Sequence, residues 1–374
     1  MNPNPFHPTF GRSPTVVAGR KAEINSFSLA LAEGPSNPWR TALISGTRGI
    51  GKTVLLNQLE NAAAAQGWVT VRAHVGKNMI SDLSETTIPR VMRTLDTHPP
   101  TRKRHVTGIG FSPLSITTQV ENTSVEPKPN LLSQLHDLAA MTHKYAVGIL
   151  ITVDEIQSAH TEHLQELAVA IQDLNRDDAE IAFLAAGLPS GIDDLLQMDG
   201  TTFLRRAEKI HLSTLQEEVA QELFRDTANQ GEKTFEDSAL KLAAQNSYGY
   251  PYLIQVIGSI SWAYAKIDNS DVINEDHVRS ALPEAINRLG RQVHEPSLHG
   301  ISQRQWDFLY AMAELCKTTD APIALRDIAE KLGTDTTALS RPRQALIHRE
   351  IISAHSRGYL EFCLPYMVEY LESI

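Results

Sequence analysis

The chain has 374 residues, enough for two or three domains that each bury a core. With 42% apolar residues, 21% charged residues and a mean hydropathy of −0.22, its composition is that of a soluble globular protein. The formal charge of −10 excludes a surface that is basic throughout, though not a local basic patch. The longest apolar run, at 145–153, falls well short of the roughly 18 residues a membrane span needs. The opening MNPNPFHPTFGRSP lacks the apolar centre of a signal peptide, and Cys316 and Cys363 cannot make a disulfide framework. These features predict a cytoplasmic, multidomain protein with no membrane partner.

Residues 1–14, rich in Pro and Asn, read as an extended lead-in. Strand, loop, helix and strand follow: an apolar run at 41–45, helical periodicity at 54–65, Gly67 at the stop, and a β-rich stretch at 68–75. Residues 76–147 are less regular and read as an insertion. It holds a basic run at 101–105, an alternating segment at 106–120 that predicts a hairpin, a Pro-rich stretch at 125–129 and a helix near 130–143. The continuous apolar run GILITV at 148–153 is of the kind found in buried parallel strands, and a helix at 161–174 and a strand at 181–186 succeed it. The alternation predicts an α/β layer with a parallel sheet over 15–212. Helical patterns then dominate at 215–230, 237–246, 251–266 and 274–291, and HEPSLHG at 294–300 reads as a linker. The last block, 300–374, predicts three helices and a terminal hairpin.

The sharpest motif is GTRGIGKT: Gly46, Thr47, Arg48, Gly49, Ile50, Gly51, Lys52 and Thr53, followed by Val54. It fits G-x-x-x-x-G-K-[ST] in full, between a predicted strand and a predicted helix. Glycines leave the backbone N–H groups free to cradle phosphate oxygens. Lys52 reaches the β- and γ-phosphates, Thr53 offers a hydroxyl to Mg²⁺, and the helix N-terminus adds positive potential. Asp154 and Glu155 stand at the end of the 148–153 strand. In a nucleotide site Asp154 orders the Mg²⁺ shell and Glu155 polarises the attacking water. The paired acids favour hydrolysis over binding alone.

Together these residues resemble the AAA+ ATPases, in an origin-recognition-like or STAND-like branch. The resemblance implies an α/β P-loop NTPase base (15–212), an all-α lid (213–293) and a C-terminal winged helix-turn-helix (300–374). Gly19 and Arg20, in the GRKAE of 19–23, look like the G-R-x-x-E segment that packs near the adenine. Gly249-Tyr250-Pro251 is similar to the G-x-P lid motif of STAND ATPases, in which the Pro lies against the nucleotide; Tyr250 and Pro251 thus join the nucleotide-binding set. Arg205 and Arg206 sit where AAA+ proteins often carry an arginine finger that reaches a neighbouring subunit's γ-phosphate. A solvated basic pair beside Glu208 is the other reading. Where a polar sensor residue is usual, the tip at 185–189 is AAGLP, and the lid lacks the expected sensor arginine. Slow, switch-like turnover follows from that departure.

In the last block, ALRDIAEKLG at 324–333 puts Leu325, Ile328, Ala329 and Leu332 on one face. A second helix at 334–349, with Pro342 permitting a start as late as Arg341, and a hairpin at 351–365 with Ser356-Arg357-Gly358 at its tip complete the pattern of a helix-turn-helix with a wing. In a DNA-binding reading, Thr337, Ser340, Arg341, Arg343 and Gln344 face the groove and Arg357 lies on the wing. In the other reading this block contacts protein. The 102–104 basic run is either a second contact or a solvated loop, and His160 and His163 read as surface helix rather than metal ligands. Residues 213–300 carry −6 of the net charge, so the acidity does not weigh against DNA contact elsewhere. The function expected is an ATPase that uses Mg-ATP as a conformational or assembly switch, with DNA, a partner protein or further copies of itself as partners.

Overall fold

The computed structural model describes residues 3–9, 19–98, 130–319 and 322–374. The expected hairpin at 106–120 and the basic and Pro-rich runs beside it lie outside these residues. Thr41–Ser45 (β1), Val69–Ala73 (β2), Ile149–Val153 (β3), Ile181–Gly187 (β4) and Glu208–His211 (β5) form one parallel sheet in the order β2-β3-β4-β1-β5. β3 and β4 are buried along their whole length, because helices cover both faces. Alternate side chains feed two cores: Ala42, Ile44, Leu150 and Leu184 on one face, Leu43, Ile149, Ile151 and Phe183 on the other. The register sets Ser45 beside Gly187 and His211, and Val153 beside Ala185. The strands therefore end along one edge.

Two buried charges lock this layer. Arg40 is nearly enclosed; it donates to the carbonyls of Ala30 (2.9 Å) and Leu31 (2.9 Å) near the end of helix Lys21–Glu33 and to Glu180 Oε2 (2.6 Å) ahead of β4. Glu60, on helix Lys52–Ala65, accepts from Thr152 Oγ1 of β3 (2.7 Å) and from the Arg72 guanidinium of β2. That helix is thereby fixed to two strands at once.

Helices Glu217–Gln230, Asp237–Ser247, Pro251–Ile267 and Glu275–Leu289 make the next block. A two-residue parallel pair, Thr234–Phe235 (β6) with Val272–Ile273 (β7), joins them. The lead-in is packed on this block: Phe6 is buried against Phe224, Asn4 Nδ2 donates to the Ser259 carbonyl (2.9 Å), and the His7 N–H donates to Gln255 Oε1 (2.9 Å). The linker expected at 294–300 is corrected. The chain stays helical through a π-turn at Gly290–His294 and on to Glu295–Leu298, because Val293, His294 and Leu298 are buried.

The C-terminal block runs helix Gln303–Cys316, strand Ile323–Ala324 (β8), helices Leu325–Lys331 and Ser340–His348, strands Ile352–Ser356 (β9) and Tyr359–Phe362 (β10), and helix Met367–Ser373. Its antiparallel sheet has the order β8-β10-β9. The second helix takes the late start that Pro342 permits, beginning at Ser340 rather than 334. Asp335 Oδ1 accepts from the N–H groups of Thr337 (2.9 Å) and Ala338 (3.0 Å) and holds the preceding residues as a turn. Sheet, helical block and C-terminal block share a continuous apolar core. No helix among the described residues is long and apolar enough to cross a membrane.

His294 pins the C-terminal block. Its Nε2–H donates to the Pro365 carbonyl (3.0 Å), its ring meets Tyr370 edge-on at 5.0 Å, and burial pulls its pKa down to about 4. The folded state thus refuses a proton that the unfolded chain binds near 6.5. Stability from this group is complete above pH 6.5 and declines as pH falls towards 4. A loss of about 2 kcal/mol between pH 7 and pH 5 is expected from denaturant titrations, and His294→Gln should flatten that part of the profile. An unchanged slope in the variant would count against the assignment.

Candidate nucleotide site

The loop at 46–51 leaves the end of β1 and enters helix Lys52–Ala65. Gly49 has φ +71°, and a Cβ there would run into the Tyr250 hydroxyl. Only glycine fits, because the loop presses directly on the helical block. Tyr250 is fully buried and its O–H donates to the Arg48 carbonyl; burial pushes its pKa up, so it remains a neutral donor. Lys52 is buried too. Its Nζ donates to the carbonyls of Gly46 (2.8 Å) and Thr47 (2.9 Å). Burial lowers its pKa, and the charges of Glu155, Glu350 and Asp154 oppose that shift.

Across the sheet edge, Thr53 Oγ1 donates to Asp154 Oδ2 at 2.7 Å. Asp154 Oδ1 accepts the Glu155 N–H (2.9 Å), which aims the first carboxylate back at the loop. Glu155 takes a left-handed backbone (φ 54°) and leaves its side chain exposed. Gln157 joins this group without any spacing signal in the sequence. Its Nε2 donates to Glu155 Oε2, while its Oε1 accepts the Leu188 N–H (3.0 Å) just beyond β4. A Cβ on Gly187 would sit 2.6 Å from Ile156 and 2.7 Å from Gln157 Oε1. The β4 tip has no room for a polar sensor side chain, and a side chain from the β3 turn reaches it instead.

A triphosphate and a divalent cation suit this donor set. The loop's Gly-rich backbone and the following helix N-terminus present N–H groups, Lys52 adds a cation, and a hydroxyl and a carboxylate already lie together where a metal takes oxygen ligands. The group His136, Asp173 and Asp177 is a weaker metal candidate. Asp173 is 3.0 Å from Nε2 and Asp177 is 3.8 Å from Nδ1, so the two acids address opposite ring nitrogens.

Gly19 lies against Leu215, and Arg20 donates to the Ser213 carbonyl (3.1 Å), next to Leu212 at the loop's base. Pro251 opens helix Pro251–Ile267 directly after the loop-contacting Tyr250. Ile50 is buried beneath the loop, and Val54 is half-buried in the first helical turn. Arg205 and Arg206 are exposed in the turn Thr202–Arg206 ahead of β5, at the sheet edge opposite their own phosphate loop. Their own site is out of reach. Thr337, Ser340, Arg341, Gln344 and Arg357 are exposed. Arg343 is half-buried, its Nε enclosed without a hydrogen-bond partner among the described residues. It lies three residues before the buried Leu346, on the inner face, whereas Arg341 and Gln344 share the outer one.

The AAA ATPase domain family matches residues 16–184, and a domain family of unknown function (DUF8462) matches 291–371. Among solved structures, the ORC2 protein of Aeropyrum pernix, determined as ADPNP–ADP complexes, is similar with a TM-score of 0.65 at 17% identity. The match covers 98% of this chain and 96% of that one. A Walker-type ATPase of Pyrococcus abyssi gives 0.64 at 15% identity, over 95% and 96% of the two chains. At such identities the likeness is one of fold. No curated protein matches by sequence.

Replacing Tyr250 by Phe leaves the Arg48 carbonyl without its donor at a contact between the loop and the helical block. The expected loss is about 1–2 kcal/mol in urea unfolding, with unchanged secondary structure. Stability within a few tenths of a kcal/mol of the parent would show that the contact carries no weight.

Proposed function

We propose that this chain, whose residues 16–184 match the AAA ATPase domain family, is an ATPase that uses Mg-ATP binding and slow hydrolysis to switch conformation or assembly. The observation that carries the reading is the hydrogen bond from Thr53 to Asp154, with Glu155 beside it, at the mouth of a full phosphate loop. Gly46 to Thr53 hold the phosphates, with Val54 behind them. Gly19, Arg20, Tyr250 and Pro251 line the nucleoside side. Thr53 and Asp154 hold Mg²⁺, which when bound neutralises charge on the phosphate oxygens. Glu155 takes a proton from the attacking water, and Gln157 holds that carboxylate until the site is filled. Freed of Gly46 and Thr47, the Lys52 ammonium turns to the phosphates.

The proposed organisation is a lead-in (1–14), an ATPase base (15–212) with an insertion (76–147), a lid (213–293) and a winged helix-turn-helix (300–374), in the cytoplasm. The Gly49–Tyr250 contact supports coupling of loop and lid. DNA binding rests on the outward face of Thr337, Ser340, Arg341 and Gln344 with Arg357 on the hairpin tip. Arg205 or Arg206 would complete a neighbour's site in a homo-oligomer. A second reading, in which the C-terminal block contacts protein, is favoured by its packing within this chain: Tyr366 donates to the Asn246 carbonyl (2.9 Å) and stacks edge-on with Tyr248.

Glu155→Gln should keep ATP affinity within about twofold and cut phosphate release by about 100-fold or more. Parent-like turnover would remove Glu155 from its role. Filter binding of duplex DNA over a salt series separates the two C-terminal readings. DNA binding predicts that Arg341→Ala weakens affinity and lowers the salt slope by about one. The absence of salt-dependent affinity in the parent would favour protein contact.

A further inference from the structure

Between helix Ser340–His348 and β9 the chain turns at Glu350, whose backbone is left-handed (φ 57°). Glu350 is only 8% exposed, and both of its carboxylate oxygens are enclosed without a hydrogen-bond donor among the described residues. A carboxylate buried in this way is costly unless cations compensate it. Its charge is felt by two cations of the phosphate loop, Lys52 and Arg48: burial raises its pKa to about 7, and these two charges oppose the rise. Tyr250 and Cys363 also feel its charge, and burial leaves the Cys363 thiol pushed up to about 12. Neighbouring contacts hold the turn in place. His348 Nε2 is 3.6 Å from Asp194 on helix Pro189–Gln197, directly after β4, and Arg349 Nη1 donates to the His299 carbonyl (2.8 Å).

We propose that Glu350 is an anionic stopper: the docked C-terminal block sets a carboxylate against the phosphate loop, so docking and nucleotide phosphate oppose each other. The inference rests on the reading of this loop as a nucleotide site. Without nucleotide, Lys52 and Arg48 attract Glu350 and the block stays down. A triphosphate claims the same cations and leaves Glu350 facing like charge in a dry environment, where repulsion is strong. Nucleotide therefore drives the turn out of the site, and by linkage any change that loosens the turn tightens nucleotide binding by the same factor. No relay between distant sites is needed, because the moving block carries the competing charge itself.

The test is Mg-ATP titration calorimetry at pH 8 on the full chain, its Glu350→Gln variant and its Tyr366→Phe variant, with amide hydrogen exchange on the parent. Glu350→Gln keeps the shape of the side chain and removes its charge. It should bind Mg-ATP about tenfold tighter or more and melt no lower than the parent. Tyr366→Phe, which removes the hydrogen bond to the Asn246 carbonyl that ties the C-terminal block to the helical block and leaves the phosphate site untouched, should tighten binding in the same direction by a smaller factor. In the parent, Mg-ATP should raise exchange over 340–352. Equal or weaker ATP binding by Glu350→Gln, or exchange over 340–352 that falls on adding Mg-ATP, overturns the stopper while leaving the nucleotide site standing. Failure of all three chains to bind ATP overturns both.

Discussion

The hydrogen bond between Thr53 and Asp154 depends on the order of five strands, and everything proposed for the site depends on it. The two residues lie 101 positions apart in the chain, beyond the ends of β1 and β3, two strands that β4 separates. They meet because all five strands run the same way and end at one edge, where the loops of an open parallel sheet gather. Glu60 reinforces the meeting from behind, tying the helix that begins with Lys52 to Thr152 of β3 and Arg72 of β2. A shift of that helix by one turn would part the hydroxyl from the carboxylate. The buried charges at Arg40 and Glu60 thus act as registration devices for the sheet edge.

From that edge the loop faces two other parts of the chain. The helical block reaches it through Tyr250, a buried phenol whose partner is a loop carbonyl. The C-terminal block brings it the charge of Glu350, a buried carboxylate with no hydrogen-bond donor among the described residues. One contact is satisfied and the other is frustrated. A satisfied contact fixes geometry, whereas a frustrated one stores a bias that a ligand can release. The Lys52 ammonium is bonded to the carbonyls of its own loop and so is available to a stronger anion.

Much of this was readable from the chain alone, and the exceptions have a common physical origin. The phosphate loop, β1, β3 and β4 are local patterns: eight consecutive residues or one apolar run fix each. Helices that keep a steady 3.6-residue period were equally plain. Two stretches were not, 79–97 and 290–298, and both contain a π-turn, at Leu83–Thr87 and Gly290–His294. A π-turn adds a residue to the repeat and rotates the apolar face, so the period breaks where the helix does not. Gln157, Arg40 and Glu350 escaped for a different reason. Each acts on residues brought near by strand order or block packing, which no spacing along the chain encodes. Arg343, expected to face outward with its neighbours, is half-buried because helical phase places it with the buried Leu346.

Calorimetric titration of ATP into the intact protein, in Mg²⁺ and then in EDTA, tests the central assignment most directly. If Thr53 and Asp154 share a metal beside the phosphate loop, affinity should fall about tenfold or more without Mg²⁺, and Asp154→Asn should abolish that difference. Equal affinity in both buffers, or a Mg²⁺ effect that survives Asp154→Asn, would contradict it.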